Sequence, residues 1–464
     1  MKQALSRLRQ CSQLADLIEV RIDGISDLHL EKLLKRPRPA VIITNRRKEE
    51  GGQFTGSAKE QFDILSKAIN LGAEYVDIEM SWGTEFVKKI LSDPRKTRVI
   101  CSYHNFKQTP SNLLSIYEKM KETGADVIKI ATMTSDITDN VKMFKLLNKA
   151  RKERQRLIAF CMGESGQISR ILTAKFGGYL TYAAQDIQEF TGPGQLTLDD
   201  LTNIYRIHTL DTRTKVLGLA GNPVTHSKGI YYHNRVFARR AVNAVYLNFL
   251  VTNLNRFVRT FREYFTGLSI TMPFKQEVIP LLDTIDEKAS SLNVVNTVIF
   301  KNGKLIGYNT DLPAIERLLR KRTILKDKNV VVLGTGATSK TMAFVSVTNG
   351  AQTIVVGRSA EKAKAMAVEL HCDWGTFKDF PTVKADIIMN GTSVGMTTLT
   401  ASDQKRLVPK DYLHKGMIVL DAVYNPPLTP FLKSAQQAGC EVISGVELFE
   451  EQARIQSKLF LEVL

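Results

Sequence analysis

The sequence predicts an α/β protein in two consecutive parts: an N-terminal (β/α)8-type barrel with its first strand missing, then a two-lobed α/β region. Three observations predict it. Short apolar strands alternate with amphipathic helices through the first half, the spacing of a parallel sheet. Around 192–214 the texture turns polar, through TGPGQL and DTRTK. Further on, a strand, a glycine turn and a helix follow one another in KNVVVLGTGATSKTMAFVSV (328–347).

Candidate strands in the first half are 16–22 (DLIEVRI), 40–45 (AVIITN), 75–80 (YVDIEM), 97–103 (TRVICSY), 126–131 (DVIKIA), 156–161 (RLIAFC) and 178–182 (GYLTY). Helical patterns lie between them, as at 57–71 and 111–123. Strands apolar on both faces fit a closed barrel. Such a barrel needs eight strands and the sequence offers seven; the chain opens on a helix-like stretch, so the missing strand is the first. The barrel is open at that seam, or another segment fills it, or the true start lies upstream. The expected domains are 1–210 and 215–464, the second with a substrate lobe at about 215–322 plus C-terminal helices at about 430–464, and a glycine-turn lobe at about 323–430.

Composition narrows the function. The chain has 464 residues, 43% hydrophobic and 24% charged, as globular proteins do. No apolar run approaches the ~20 residues of a membrane span, so no membrane partner is expected. The start, MKQALSRLRQCSQLADL, lacks the apolar region of a signal peptide; its basic, serine-containing character is weakly like a transit peptide, but it runs straight into a strand and reads as a folded helix. The five cysteines form no CxxC pair, which argues for a reducing compartment (the cytoplasm, or a plastid in a plant) and against a disulfide framework or a metal site. The net charge of +17 is scattered and unaccompanied by a nucleic-acid motif, so small anionic substrates and a phosphorylated cofactor are the expected partners.

Lys129 is the most informative residue of the first half. It lies inside the apolar strand ADVIKIATM (125–133). A buried, unpaired ammonium is costly and tends to lose its proton, and a neutral lysine in an apolar pocket forms a Schiff base with a ketone. The plainer alternative is a side chain that snorkels to solvent. Other polar residues fall at the successive strand ends, where a parallel barrel has its catalytic mouth: Glu19 and Arg21 in IEVRID, Arg46 and Glu50 in TNRRKEEGG, His104 in SYHNF, Arg170 in MGESGQISR and Gln195 in TGPGQ. Each alone has a structural explanation; together, in this order, they point to a catalytic mouth.

These segments resemble type I 3-dehydroquinate dehydratase, from residue 1 to about 208. The resemblance implies that Lys129 forms the imine, that His104 is the general acid–base and that Glu50 orients it. It also implies that Glu19, Arg21, Arg46, Arg170 and Gln195 bind the substrate's hydroxyls and carboxylate. Where the family usually carries a serine before the proline of GPGQ, this chain has Thr191 and Gly192, so Thr191 is the expected hydroxyl contact. On this reading the barrel interior keeps Lys129 neutral and aims it.

The second half carries GNPVTHSKG (221–229), SITMPFK (269–275), NVVNTV (293–298) and GYNTD (307–311). Lys275 reads otherwise as a surface lysine after a Pro-Phe turn, and Asp311 as a helix N-cap. GTGATS (334–339) sits between strand and helix, the context a phosphate-binding turn requires. The next strand ends at Gly357, Arg358 and Ser359, where an arginine in place of an acidic residue favours a 2′-phosphate and so NADP. With IIMNGTSVGM, DAVYNPPLTPFL and SGVELFEEQA, residues 216–464 resemble shikimate dehydrogenase. That implies a Rossmann NADP-binding lobe and a catalytic pair Lys275 and Asp311. Shikimate would be held by Ser227, Thr271, Asn296, Tyr424 and Gln452. Gly334, Gly336, Ala337, Arg358, Ser359, Asn390, Thr392 and Gly395 would form the cofactor cleft. Two departures stand out: Gly229 replaces the second serine of HSxSP, and GTGAT replaces GAGGA.

The two resemblances imply a bifunctional enzyme that dehydrates 3-dehydroquinate to 3-dehydroshikimate and reduces it to shikimate. The alternatives are a quinate/shikimate-type dehydrogenase fusion, preferring NAD or carrying an impaired barrel, an aldolase-like lyase that traps substrate on Lys129, and a basic nucleic-acid-binding scaffold.

Overall fold

The computed structural model describes residues 1–11, 14–92, 96–186, 192–225, 227–380, 382–396, 407–409 and 411–464. The chain divides into two compact units, Met1–Lys215 with Phe237–Phe261, and Val216–Val236 with Arg262–Leu464. Among the described residues no helix is long and apolar enough to cross a membrane, and all five cysteines are free.

The first unit opens with the helix Lys2–Cys11 and is built on a parallel sheet of six strands in sequence order: β1 (Ile18–Arg21), β2 (Val41–Thr44), β3 (Tyr75–Glu79), β4 (Arg98–Asn105), β5 (Val127–Met133) and β6 (Leu157–Met162). Helices such as Ala58–Asn70, Leu113–Lys121 and Asn140–Lys152 make the crossovers. Ser57 and Glu60 form a capping box that starts the first of these, satisfying N–H groups the helix itself cannot.

Among the described residues the sheet is open, its order running from β1 to β6. Residues 178–182, expected as a seventh strand, are not one. Gly177 turns the chain at φ +84°, and one hydrogen bond, Tyr179 N–H to the Leu157 carbonyl at 2.8 Å, ties the segment to β6 before it leaves the ladder. Its bulk is used differently. Tyr179, Leu180 and Tyr182 pack against the apolar cluster of Ile42, Tyr75, Ile100, Val127, Ile158 and Phe160 on the inner face of the sheet.

The second half holds two sheets. One has the order β10-β12-β11-β9-β7-β8, with β7 Lys215–Gly221, β8 Ala244–Leu250, β9 Gly267–Ile270, β10 Thr284–Ile285, β11 Thr297–Lys301 and β12 Lys304–Tyr308. The other has the order β15-β14-β13-β16-β17-β18 and is parallel throughout. Its strands are β13 Asn329–Leu333, β14 Gln352–Gly357, β15 Asp373–Thr376, β16 Ile387–Asn390, β17 Ile418–Asp421 and β18 Glu441–Ile443. Counted from β13 this is 3-2-1-4-5-6, the dinucleotide-binding order, and its switch point falls between β13 and β16.

Candidate active sites

Strand alternation builds the first site. Successive side chains point to opposite faces, so every second residue of β1–β6 faces inward. The register then aligns Glu79 with Ser102 and Ser102 with Lys129 in one row. Arg21, Thr44 and Asp77 form another. Below the polar rows lies the apolar cluster already described.

Lys129 is buried, 5% exposed, and is not neutral as expected. Its Nζ lies 3.1 Å from Asp77 Oδ2 and 3.6 Å from Glu19 Oε1. Burial alone would lower its pKa; the Asp77 and Glu19 carboxylates outweigh burial and hold the ammonium above its ordinary range. The correction has a simple cause: the partners come from other strands, and a buried ammonium keeps its proton when a buried carboxylate faces it. Asp77 is itself desolvated, but Arg46 and Lys129 hold its pKa below the usual carboxylate range.

Arg46 sits at the centre of this network. It reaches Asp77 Oδ1 at 2.8 Å, Glu79 Oε1 at 3.2 Å and Ser102 Oγ at 2.8 Å. Glu50 accepts from Ser81 Oγ at 2.6 Å and shares a 2.9 Å hydrogen bond with His104 Nδ1. Burial raises the Glu50 pKa to about 7. Burial, then the charges of Arg46 and Lys129, push His104 well below the ordinary histidine value. The imidazole is therefore neutral, the state a general base requires.

Arg21 is held by Asp23 through Nε and Nη2, at 2.9 and 2.8 Å. Glu19 accepts from Thr44 Oγ1 at 2.7 Å. Arg170 is 3% exposed, its Cζ lies 4.1 Å from the Phe160 ring centroid, and its Nε has no hydrogen-bond partner. Burial lowers its pKa to about 10. A buried guanidinium with an unsatisfied N–H is an anion site in want of an anion. Gln195 is buried on the loop whose Pro193 carbonyl receives Arg170 Nη2 at 3.4 Å. Thr191 lies outside the described residues.

The second site centres on Lys275, whose Nζ is 2.6 Å from Asp311 Oδ2 and 3.5 Å from Thr338 Oγ1. Asp311 is the first residue of the helix Asp311–Arg320, but the capping is done by Asn309, whose Oδ1 accepts from Leu312 N–H at 2.9 Å. The Asp311 carboxylate is thus left to the lysine, and the helix N-terminus favours its charge. Asn296 Oδ1 accepts from Thr310 N–H at 2.8 Å, and Thr310 Oγ1 donates to Gln452 Oε1 at 3.3 Å. Ser227 Oγ accepts from Gly229 N–H at 3.1 Å, and Tyr424 lies against Phe449 with ring centroids 5.4 Å apart. Thr271 N–H donates to Ala220 O at 3.0 Å, beside the strand that delivers Lys275.

Comparison with known proteins finds matches in both halves of the chain. Residues 1–212 match the family model of type I 3-dehydroquinase, 219–298 that of the shikimate dehydrogenase substrate-binding domain, and 317–432 that of shikimate / quinate 5-dehydrogenase. The chain is 36% identical over 473 residues to the chloroplastic bifunctional 3-dehydroquinate dehydratase/shikimate dehydrogenase of Arabidopsis thaliana, across 96% of this chain and 77% of the relative. This chain belongs to the bifunctional 3-dehydroquinate dehydratase/shikimate dehydrogenase family. It is also 29% identical to the shikimate biosynthesis protein AroDE of Chlamydia pneumoniae, over 99% of this chain and 92% of that one. A crystal structure of shikimate dehydrogenase in complex with NADP+ matches 55% of this chain and 92% of its own, at 32% identity and a TM-score of 0.51.

In the dehydrogenase half, Gly334 follows β13 at φ +105°. A Cβ there would stand 2.6 Å from Ser339 Oγ and 2.8 Å from Thr392 Cγ2, so only glycine fits the turn. Gly336 precedes the helix Ala337–Thr348 and has open space where a Cβ would be, which leaves that helix N-terminus accessible. Arg358 is exposed at the end of β14, and Ser359 caps the helix Ala360–Leu370. Asn390 accepts from Thr392 N–H at 2.9 Å and donates to the buried Asp421 at 2.9 Å; Gly395 turns the loop at φ +101°.

Sequence reasoning missed Asp77, Glu79, Ser102 and Asp421. The first three had a usable signal. YVDIE and VICSYH place them in the inward phase of strands whose other inward residues are catalytic candidates. Asp421 lies at the C-terminal end of its strand, next to the switch point.

Proposed function

We propose that the first half dehydrates 3-dehydroquinate through an imine on Lys129 and that the second reduces 3-dehydroshikimate to shikimate with NADPH. The observation that carries the reading is a buried lysine on one strand beside a neutral His104, itself hydrogen-bonded to Glu50, on the adjacent strand. Arg170 supplies a buried guanidinium with an unsatisfied Nε–H for the substrate carboxylate. Lys129 must lose a proton before it attacks, and His104 on β4 is a base able to take it. The imine nitrogen then withdraws electrons from the ring, His104 removes the acidified C–H proton, and its imidazolium protonates the departing hydroxyl. Hydrolysis returns Lys129, and the net change is loss of one water. Glu19 and Arg21 hold ring hydroxyls, while Arg46 fixes the carboxylates around Lys129.

In the second half, the Lys275 ammonium, held by Asp311, donates a proton to the ketone oxygen. Asn296, Gln452, Thr271, Ser227 and Tyr424 hold the ring substituents. The glycine turn, the helix N-terminus after Gly336 and the Arg358 guanidinium fit a pyrophosphate and a 2′-phosphate. NADPH supplies the hydride when bound. The free cysteines support a reducing compartment, the cytoplasm or a plastid.

The test is direct conversion. Protein given 3-dehydroquinate and NADPH should release shikimate while NADPH absorbance falls. Reduction of added 3-dehydroshikimate with no consumption of 3-dehydroquinate would sink the reading of the first half.

A further inference from the structure

Tyr182 is partly buried and carries a buried hydroxyl that the mechanism above does not use. Its hydroxyl is shut off from solvent, lies beside the Lys129 ammonium and, among the described residues, makes no hydrogen bond of ordinary geometry. Leaving a buried hydroxyl unpaired costs about 1–3 kcal/mol, and phenylalanine would fill the same space without that cost. The ring is well placed for packing alone: it meets Phe160 edge-on, with centroids 6.1 Å apart, and joins the apolar cluster on the inner face. Packing explains the ring and leaves the hydroxyl unexplained.

The position of the ring suggests what the hydroxyl meets. Lys129 Nζ lies over the Tyr182 ring, 4.4 Å from its centroid. Asp77 and Glu19 take two directions around the same nitrogen. The ring therefore walls the space in which a carbon joined to Nζ must sit. A ketone carbon attacked there carries its oxygen into that space.

We propose that Tyr182 is a catalytic residue of the dehydratase half, its phenol O–H donating a hydrogen bond to the ketone oxygen as Lys129 adds. This rests on the assignment of Lys129 as the imine-forming residue. In that step the N–C bond forms and the C=O π electrons move onto oxygen. The oxygen takes up two protons, one from the attacking nitrogen and one returned by the His104 imidazolium, and leaves as water when the nitrogen lone pair closes the C=N bond. Negative charge develops on that oxygen during attack, and a fixed donor in a dry site stabilises it more than it stabilises the ketone. Tyr182 keeps its own proton throughout, and the proton transfers are carried by the attacking nitrogen and His104. The charged neighbours of the oxygen are Lys129, Asp77 and Glu19, and none of the carboxylates can donate.

The test is Tyr182→Phe, which removes the hydroxyl and keeps the ring. Three readings are taken on one preparation: kcat/KM for 3-dehydroquinate, the rate at which borohydride-trappable adduct forms, and thermal stability. NADPH-dependent reduction of 3-dehydroshikimate reports that the chain is folded. The proposal expects kcat/KM and the adduct rate to fall by about tenfold or more, with reduction unchanged and the melting temperature equal or higher. Wild-type dehydration kinetics in the variant would overturn it. So would a lower melting temperature with a proportionate loss of both activities, because the hydroxyl would then be a structural contact. A wild-type protein that traps no adduct on Lys129 would overturn the underlying assignment and this proposal with it.

Discussion

Two lysines face two aspartates in this chain, and their surroundings differ. Lys129 lies in the middle of a strand at 3.1 Å from Asp77, with neither side chain more than 6% exposed. Lys275 lies 2.6 Å from Asp311, with 16% and 11% exposure, on a turn facing a helix N-terminus. The first pair is fixed by neighbouring strands: Arg46, Glu19, Glu79 and Ser102 all converge on it. Among the described residues, the second has only Thr338 as a further polar contact to its lysine. On the proposed roles, the lysine that is covalently modified and restored is held in a charged network, and the lysine that regains a proton from solvent after each turnover stands nearer the surface.

The sharpest break between the two is by deletion. Lys129→Ala should lower dehydration by at least about 10⁴-fold and leave reduction intact; Lys275→Ala should lower reduction by about 10²–10⁴-fold and leave dehydration intact. Steady-state assays of both activities on each variant check this, and loss of both activities in a folded variant would contradict it. Asp77→Asn comes next. It leaves Lys129 and Arg46 short of a buried counter-charge, so stability should fall by about 3–5 kcal/mol, measured by denaturant unfolding. Asp311→Asn, at the more exposed pair, should cost about 1 kcal/mol or less.

Protonation separates the halves further. The folded pKa of Glu50 is raised to about 7 from 4.5. A raised carboxyl binds its proton more tightly when folded, so its contribution to stability is full below pH 4.5 and is lost as pH rises through about 7. Glu50→Gln should remove that loss, up to about 3 kcal/mol between pH 4.5 and 8, in urea titrations across that range. The smallest expected effect is in the second half: Arg358→Ala should raise the KM for NADPH about five- to tenfold and change that for NADH less.

Much of this was legible in the sequence because strands and motifs are local. Six of the seven strands expected in the first half are present, and the glycine turn at 334–336 joins the strand and helix it was expected to join. The seventh strand failed because GYLTY follows a left-handed Gly177, and its aromatics serve the inner face rather than a ladder. The charge on Lys129 was misread because it is decided by Asp77, two strands away, at a distance no spacing rule reports. Asp77 itself was visible only as a charge in the inward phase of YVDIE. Asp311 was weighed as a cap; Asn309, two residues earlier, does that work.

One measurement tests the contrast between the lysines most directly. The protein is incubated with 3-dehydroquinate, reduced with borohydride, digested and mapped by mass spectrometry. The account predicts one covalent adduct, on the peptide bearing Lys129, with Lys275 unmodified. An adduct on Lys275, or none on Lys129 in a protein that still consumes 3-dehydroquinate, would contradict it.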